Sequence, residues 1–124
     1  MLFSENVLLD PMFTFATTAA GTRSAIPITG GTFGGAALQG EIVPGGADFP
    51  VAGPGGYVLD ARYTLKTSDG EYIVVRNCGP VQPGLTPTFE ARADGPYSWL
   101  NGAAYTSAVV PGNGSVQIYI FQPG

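Results

Sequence analysis

The stretch GYVLDARYTLKTSDGEYIVVRNC, residues 56–78, decides the fold of this chain. Residues 56–67 and 71–78 are two alternating runs rich in Val, Ile, Tyr and Thr, which are residue types that suit a pleated strand. Ser68-Asp69-Gly70 separates the two runs. Asp-Gly between two alternating runs is a strong β-hairpin signal, because glycine readily adopts the positive φ of the turn. The stretch therefore predicts two antiparallel strands joined by a tight turn.

Two registers are open for this hairpin. A two-residue loop sets Arg62 opposite Asn77. A three-residue loop, with Gly70 in the left-handed conformation, sets Arg62 opposite Arg76 and places both on the same face as Asp60, because side chains two apart share a face. Ser-Asp-Gly suits the three-residue loop better, so we expect the second register.

The rest of the chain shows the same pattern of short runs that suit β-strands. Gly and Pro interrupt short runs of β-branched and aromatic residues, and no stretch sustains a helical period. The chain therefore reads as all-β, with about eight to ten short antiparallel strands that close into a compact barrel and leave no exposed edges. A sandwich is the alternative. The further predicted strands are residues 11–18, 24–29, 34–43, 87–93, 98–110 with a break near 101–102, and 114–122.

The length and composition of the chain limit the number of domains and exclude several classes of function. Its 124 residues predict one domain spanning 1–124. Without histidine and with one cysteine, it has neither a Ser-His-Asp nor a Cys-His catalytic set, and we expect no metal and no cofactor. A net charge of −4 argues against nucleic-acid binding. No run is long enough for a transmembrane helix, and residues 1–13 lack the cationic region of a signal peptide. We therefore expect a cytoplasmic protein without a membrane partner.

The glycine-rich segments read as turns. GGTFGG, residues 30–35, opens no helix and carries no lysine, so it does not fit a phosphate-binding loop, and we expect tight turns at the barrel rim. PGGAD, residues 44–48, predicts a turn that leaves Asp48 at a strand end. Among the acidic residues, Glu41, Asp48, Asp60 and Glu90 are the candidates for moving protons, because an apolar barrel raises the pKa of a carboxyl group.

The charges of the hairpin have two interpretations. Asp60 and Arg62 with Arg76 form either an ordinary solvated face or a polar floor inside the barrel. Buried charges are costly unless they are paired, so an inward-facing cluster would be retained for binding.

Three blocks together resemble the family named domain of unknown function 3237, also called uncharacterised protein family 0311. They are IPITGGTFGGAALQGEIVPGGADF (26–49), LDARYTLKTSDGEYIVVRNCG (59–79) and PTFEARADGPYSWLNG (87–102). The resemblance implies a lipocalin-like antiparallel barrel with an internal cavity, and fungal members are linked to cofactor-free ring closure of polyketide-like phenols. This chain departs from the family in the short VQPGLTP (81–87), where relatives carry a long insert, and in Phe49, where the family prefers Trp.

The resemblance also carries over a recurrent polar motif, which makes an inward-facing charge cluster the expected arrangement. The matching positions are Gly45, Gly46, Asp48, Asp60, Arg62, Tyr63, Arg76, Asn77, Glu90, Tyr97, Trp99 and Asn101.

One functional hypothesis is a cofactor-independent cyclase or isomerase that closes a ring in an aromatic or polyketide-like substrate. Asp48 or Glu90 would move a proton, while Arg62 and Arg76 would stabilise a phenolate or enolate. The predicted substrate-binding residues are Asp60, Tyr63, Asn77, Phe89, Trp99 and Asn101, of which the aromatic ones would stack on the substrate.

Two other hypotheses belong to different classes. A carrier would bind a small apolar acid through the arginines without turnover, and a structural protein would have a filled core. A cavity of roughly 300 Å³ or more, lined by arginine and carboxylate groups, would keep the enzyme and the carrier open, whereas a barrel filled by side chains would leave only the structural protein. A small-molecule ligand is the expected partner, and a homodimer is compatible with the sequence.

Overall fold

The alternation read from the sequence builds a ten-stranded antiparallel sheet in the computed structural model, which describes residues 1–122. The strands are β1 (Phe3–Leu9), β2 (Phe13–Thr18), β3 (Gly21–Gly34), β4 (Gln39–Asp48), β5 (Val51–Gly53), β6 (Gly56–Thr67), β7 (Tyr72–Pro80), β8 (Thr86–Ala91), β9 (Thr106–Pro111) and β10 (Ser115–Phe121). A short 3₁₀ helix, Ser98–Leu100, lies between β8 and β9. No helix among these residues combines the length and the hydropathy that a membrane crossing needs.

The central hairpin has the predicted three-residue register. Arg62 on β6 pairs with Arg76 on β7, and Gly70 has a φ of 91° in the turn. The Gly70 N–H donates to the Thr67 carbonyl at 2.9 Å. Every second side chain of β6 from Ala61 onward is buried, and the residues between them point outward. The turn chemistry thus fixed which residues of the two strands share a face.

The sheet closes into the predicted barrel. Eight of the strands follow the order β8-β7-β6-β4-β3-β1-β10-β9, while β2 pairs with β3 and β5 pairs with β3 and β6. This order leaves β8 and β9 to meet. Leu85, just before β8, forms an isolated bridge with Ser107 of β9, with two backbone hydrogen bonds of 2.9 and 3.2 Å. The barrel therefore closes through a short seam rather than a full ladder.

Side chains fill one half of the barrel. Phe3 contacts both Phe33 and Phe89, with ring centroids 5.9 and 5.7 Å apart, and Phe89 meets Tyr105 edge-to-face at 5.2 Å. Leu100 of the 3₁₀ helix is fully buried in the same cluster. This end, which we call the packed half, also contains Leu38, Leu65, Ile73, Val75 and Ile120.

The glycine-rich segments lie inside strands, so the expectation of rim turns is wrong for Gly30 and Gly31. Both have positive φ within β3, where the pairing with β1 and with β4 shifts register. A Cβ on Gly31 would collide with the Asn6 carbonyl oxygen, so the strands approach closely only because the residue is glycine. Pro44-Gly45-Gly46 likewise forms a bulge inside β4, which ends, as expected, at Asp48.

Three other predictions of elements need correction. Residues 98–100 form the 3₁₀ helix rather than the start of a strand, because Asn101 bonds the backbone N–H and carbonyl of Ala91 at 2.7 and 2.8 Å and turns the chain back. The predicted strand 34–43 starts late, since residues 35–38 form the turn before β4. Strands β1 and β5 were not predicted.

Candidate functional site

The other half of the barrel, which we call the hollow half, holds a pocket of about 630 Å³. This volume lies in the range of sites for small organic molecules. Most of its wall is apolar and comes from the inward faces of β1, β3, β6, β9 and β10. The apolar lining includes Val7, Leu9, Ile26, Ile28, Leu59, Ala61, Leu85, Val109, Val116 and Ile118.

A polar row crosses this apolar wall. Asp48 on β4 pairs with Ala61 on β6, and Ala61 pairs with Asn77 on β7, so the three residues lie at one level on neighbouring strands. All three line the pocket. Two strand spacings separate the outer pair by roughly 10 Å between Cα atoms. Ala61 contributes only a methyl group between the two polar side chains.

Asp48 is the carboxyl group of this row. It ends β4, and its Oδ1 accepts a hydrogen bond of 3.1 Å from the Asp60 N–H. Burial raises the pKa of Asp48 above its ordinary value of 3.8, and the backbone N–H groups of Asp60 and Phe49 partly offset that rise. A carboxyl group with a raised pKa can both accept and return a proton.

Tyr63 lies one step deeper on β6, at the boundary with the packed half. Its hydroxyl donates a hydrogen bond to Oε1 of Glu5 on β1, and both side chains are buried. Burial raises the pKa of Glu5 to about 7, although the Tyr63 hydrogen bond opposes the rise. Burial and the nearby Glu5 carboxylate hold the pKa of Tyr63 well above 10. The pair therefore places the Glu5 carboxyl group, which titrates near neutral pH, directly behind Tyr63 at the pocket wall.

Asn77 forms the opposite end of the polar row and is only 1% exposed. Its Oδ1 accepts a hydrogen bond of 2.9 Å from the Ser107 hydroxyl across the closing seam. Its Nδ2 has no hydrogen-bond partner within residues 1–122. The seam therefore orients the amide, and the unpartnered donor is a buried atom of a side chain that lines the pocket.

The charged cluster of the hairpin lies outside the barrel, so the expectation that it lines the cavity is wrong. Asp60 accepts hydrogen bonds from Arg76 Nε at 3.0 Å and from Arg62 Nη2 at 3.4 Å. The two arginine side chains are 53% and 62% exposed. The cluster shares one face, as the register predicted, but the buried face is that of Ala61 and Tyr63. Arg76 holds the pKa of Asp60 below its ordinary value.

The remaining predicted site residues also lie away from the pocket. Glu90 points to solvent from β8, because Phe89 occupies the inward position in the packed half. Trp99 is 42% exposed on the 3₁₀ helix. Asn101 is engaged with the Ala91 backbone. Of the ten predicted site residues, the structure brings Asp48, Tyr63 and Asn77 to the pocket.

Sequence reasoning missed Glu5. The residue occupies an inward position of β1, between the buried Phe3 and Val7, where a charge breaks the apolar alternation that would have revealed the strand. An alternating apolar pattern with one acidic residue at an inward position is itself a signal of a functional site. A buried carboxyl group is costly unless it is paired, so such a residue is usually retained for a function or held by a partner. Within residues 1–122, no three of the His, Cys, Asp and Glu side chains group closely enough to hold a metal ion.

This chain is similar to known proteins in both sequence and fold. The family described as "Protein of unknown function (DUF3237)" matches residues 1–84, a span that contains Glu5, Asp48, Tyr63 and Asn77. The chain belongs to the DUF3237 family. A protein of Bradyrhizobium diazoefficiens named UPF0311 is 35% identical over 121 residues, covering 80% of this chain and 78% of the relative. The predicted family is confirmed.

One relative has a named activity. A "Hydroalkoxylation enzyme phnH" from Penicillium herquei is 30% identical over 101 residues, which cover 81% of this chain and 66% of the enzyme. A UPF0311 protein of Rhodopseudomonas palustris is 40% identical over 60 residues, 48% of this chain. That match spans only 39% of the relative's own length.

Solved structures share the barrel. A beta-barrel like protein from Acinetobacter baumannii superposes with a TM-score of 0.85 at 32% identity, covering 96% of this chain and 90% of that one. An enzyme from Penicillium herquei superposes with a TM-score of 0.79 at 26% identity, with the same two coverages. The all-β barrel predicted from the sequence is therefore confirmed.

Proposed function

We propose that this DUF3237 protein is a small-molecule enzyme that closes an oxygen-containing ring by acid–base catalysis within the hollow half. The observation that carries the proposal is Asp48, a carboxyl group of raised pKa on the wall of a largely apolar pocket of about 630 Å³. The named activity of the Penicillium relative supports the reaction class. Hydroalkoxylation adds an O–H group across a carbon–carbon double bond.

The proposed step is an isomerisation within one substrate molecule. The Asp48 carboxylate takes the proton of a substrate hydroxyl while that oxygen attacks one carbon of the double bond. A C–O bond forms, the π bond breaks, and the neighbouring carbon takes a proton from Tyr63, whose hydroxyl turns from Glu5 to the substrate when Glu5 is protonated and donates to it. Protonated Glu5 then returns a proton to the Tyr63 oxygen, so Glu5 acts through Tyr63. Proton exchange with solvent resets Asp48 and Glu5, and atoms and charge balance without any co-reactant.

The apolar wall contributes by holding the reacting groups together. Ring closure within a single molecule gains from a confined conformation, because the entropy of bringing the two ends together is lost on binding rather than at the barrier. Exclusion of water also strengthens the interaction of Asp48 with the hydroxyl proton. These two effects need no cationic group, which agrees with the outward position of Arg62 and Arg76.

The test uses a phenol with an ortho-prenyl group, which contains both the hydroxyl and the double bond, and follows the cyclic ether by chromatography. Asp48→Asn is expected to lower the rate by about 10²–10⁴-fold, because it removes the proton acceptor. Glu90→Gln is the matched control: it changes an exposed carboxylate and should leave the rate unchanged. Equal rates for the two variants would contradict the proposal.

Glu5→Gln tests the relay separately from the pocket acid. The variant keeps the size of the side chain but holds no exchangeable acid proton. We expect the descending limb of the rate profile near pH 7 to disappear, since burial raises the pKa of Glu5 to about 7. A purely structural role would lower the rate equally at every pH.

A carrier without turnover is the second candidate, and the apolar lining of the pocket favours it as much as it favours an enzyme. The carrier predicted from the sequence would hold an acid through arginines. No arginine or lysine lines the pocket among the described residues, so the carrier proposed here takes an uncharged molecule. Stoichiometric binding of the prenylated phenol with no cyclic ether would support the carrier.

A further inference from the structure

The Asn77 amide is a buried donor with a fixed direction. It is 1% exposed, its Oδ1 is held by Ser107 at 2.9 Å, and its Nδ2 is without a partner within residues 1–122. A buried N–H that bonds to nothing is costly, so native structures rarely retain one without a reason. Asn77 also lines the pocket. The arrangement fits a ligand that brings a hydrogen-bond acceptor to this wall.

The opposite wall has the complementary character. Asp48 faces Asn77 across Ala61, and its oxygens are acceptors while the carboxyl group is ionised. Asp10 adds a second acidic group to the lining. Within the described lining no lysine or arginine balances these charges. An anionic ligand would therefore lose its hydration and meet negative charge, with no counter-ion to compensate.

The distance between the two walls limits the shape of the ligand. Asp48 and Asn77 are two strand spacings apart, roughly 10 Å between Cα atoms, and both line the pocket on either side of Ala61. An aromatic ring system with a donor on one edge and an acceptor on the opposite edge spans this gap. Leu59 and Ala61 on β6 offer it an apolar floor.

We propose that the pocket binds an uncharged hydroxyaryl carbonyl compound, with the carbonyl oxygen on Asn77 Nδ2 and the hydroxyl on Asp48, and that it excludes carboxylates. This ligand class rests on the proposed function only in placing the substrate in this pocket. Asn77 is the specificity-determining residue, and Ser107 is the positioning residue that keeps its amide group turned toward the ligand.

Three probes separate the features of this ligand class. 6-Hydroxy-1-tetralone has the hydroxyl and the carbonyl, 5,6,7,8-tetrahydro-2-naphthol lacks the carbonyl, and 6-hydroxy-2-naphthoate replaces it with a carboxylate. Calorimetric titration at pH 7 should show the tetralone binding at least about 10-fold tighter than the naphthol, the value of one hydrogen bond to an otherwise unpaired buried donor. The naphthoate should bind weakest.

Variants assign the preference to Asn77. Asn77→Leu alone strands the Ser107 hydroxyl, so the double variant Asn77→Leu/Ser107→Ala removes both partners of the hydrogen bond and preserves the fold. It should bind the tetralone and the naphthol equally. Asp48→Asn should strengthen naphthoate binding by about 10-fold, because it removes the facing charge. Thr88→Ala, an exposed change on β8, is the control and should change none of the three affinities.

Several results would overturn the inference: equal binding of tetralone and naphthol by the unaltered protein, a tetralone preference that survives in the double variant, tight naphthoate binding, or no tetralone binding. The affinity measurements and the turnover assay together distinguish a failure of this inference from a failure of the proposed function. The predicted ranking of affinities without turnover of the prenylated phenol contradicts the enzyme and leaves this inference standing. Turnover without a preference for the carbonyl contradicts this inference and leaves the enzyme standing.

Discussion

The two halves of the barrel are made from the same strands, but they carry different kinds of side chain at the inward-facing positions. Along β6, Leu65 is fully buried in the packed half, whereas Leu59 lies on the pocket wall of the hollow half. Along β1 the same change runs from Phe3 to Leu9, with Glu5 between them. Large aromatic side chains fill one end, and smaller aliphatic ones line the other.

The close-packed core and the candidate site lie in different halves of the barrel. Close packing in the packed half supplies the core that a barrel of this size needs, so the hollow half can leave space for a ligand. Tyr63, Glu5 and Asn77 lie at the boundary or just above it, where they are held by their own hydrogen bonds. The packed half thus stabilises the folded shape of the hollow half.

The largest expected effect is on stability in the packed half. Leu65→Ala removes a fully buried side chain and should lower the free energy of unfolding by about 2–5 kcal/mol. Leu59→Ala, six residues earlier on the same face of β6, borders the pocket and should cost less than about 1.5 kcal/mol. Urea unfolding of both variants measures the contrast. Equal losses would show that the two halves are packed alike.

A pH titration of stability probes the boundary between the halves. Burial raises the pKa of Glu5 from 4.5 to about 7, so the folded protein keeps a proton that the unfolded chain releases. Stability should therefore fall as pH rises from about 4.5 to about 7 and then level off, by about 3 kcal/mol in total. The contribution is fully present below 4.5. Urea unfolding between pH 5 and 8 should show a flatter profile for Glu5→Gln, and an unchanged slope would contradict the assignment.

Filling the hollow half should separate binding from stability. Ala61→Leu adds a larger side chain between Asp48 and Asn77 at a position that lines the pocket, so the free energy of unfolding should change by less than about 1 kcal/mol. Binding of 6-hydroxy-1-tetralone should weaken by at least about 10-fold. Val75→Leu in the packed half reverses the pattern, since overpacking costs about 1–3 kcal/mol while binding persists. Intact binding by Ala61→Leu would place the ligand elsewhere.

The smallest effect is expected from the outer charged cluster. Arg62→Ala and Arg76→Ala remove exposed ion pairs with Asp60, which water and salt screen. The urea midpoint and the tetralone affinity should both stay within experimental error of the unaltered protein. A large loss of tetralone binding in either variant would show that the arginine takes part in ligand binding, and would contradict the assignment of the pocket.

Much of the fold could be predicted because turn chemistry and alternation are local. The hairpin of β6 and β7 follows from Ser68-Asp69-Gly70, and its register follows from the loop length. Gly30 and Gly31 could not be placed by the same reasoning, since a bulge inside a strand and a turn between strands use the same residue type. Only the close approach of Asn6 from a neighbouring strand distinguishes them.

The site was predictable only in part, for a reason that lies in the alternation itself. The sequence brings Asp60 and Arg62 to one face of β6 but does not say whether that face or the face of Ala61 and Tyr63 turns inward. Burial energetics decides it, because three exposed ionic groups cost less than three buried ones. Glu5 escaped prediction for the converse reason: it is a charged residue on the buried face of a strand.

The most direct test of the hollow half as the ligand site is methyl NMR during titration with 6-hydroxy-1-tetralone. The account predicts shift changes at the methyl groups of Val7, Ile28, Ala61, Val109 and Ile118, which line the pocket. The methyl groups of Leu65, Ile73 and Ile120 in the packed half should stay unchanged, as should Val74 on the outer face. Changes concentrated at Val74, or spread evenly through the packed half, would contradict the account.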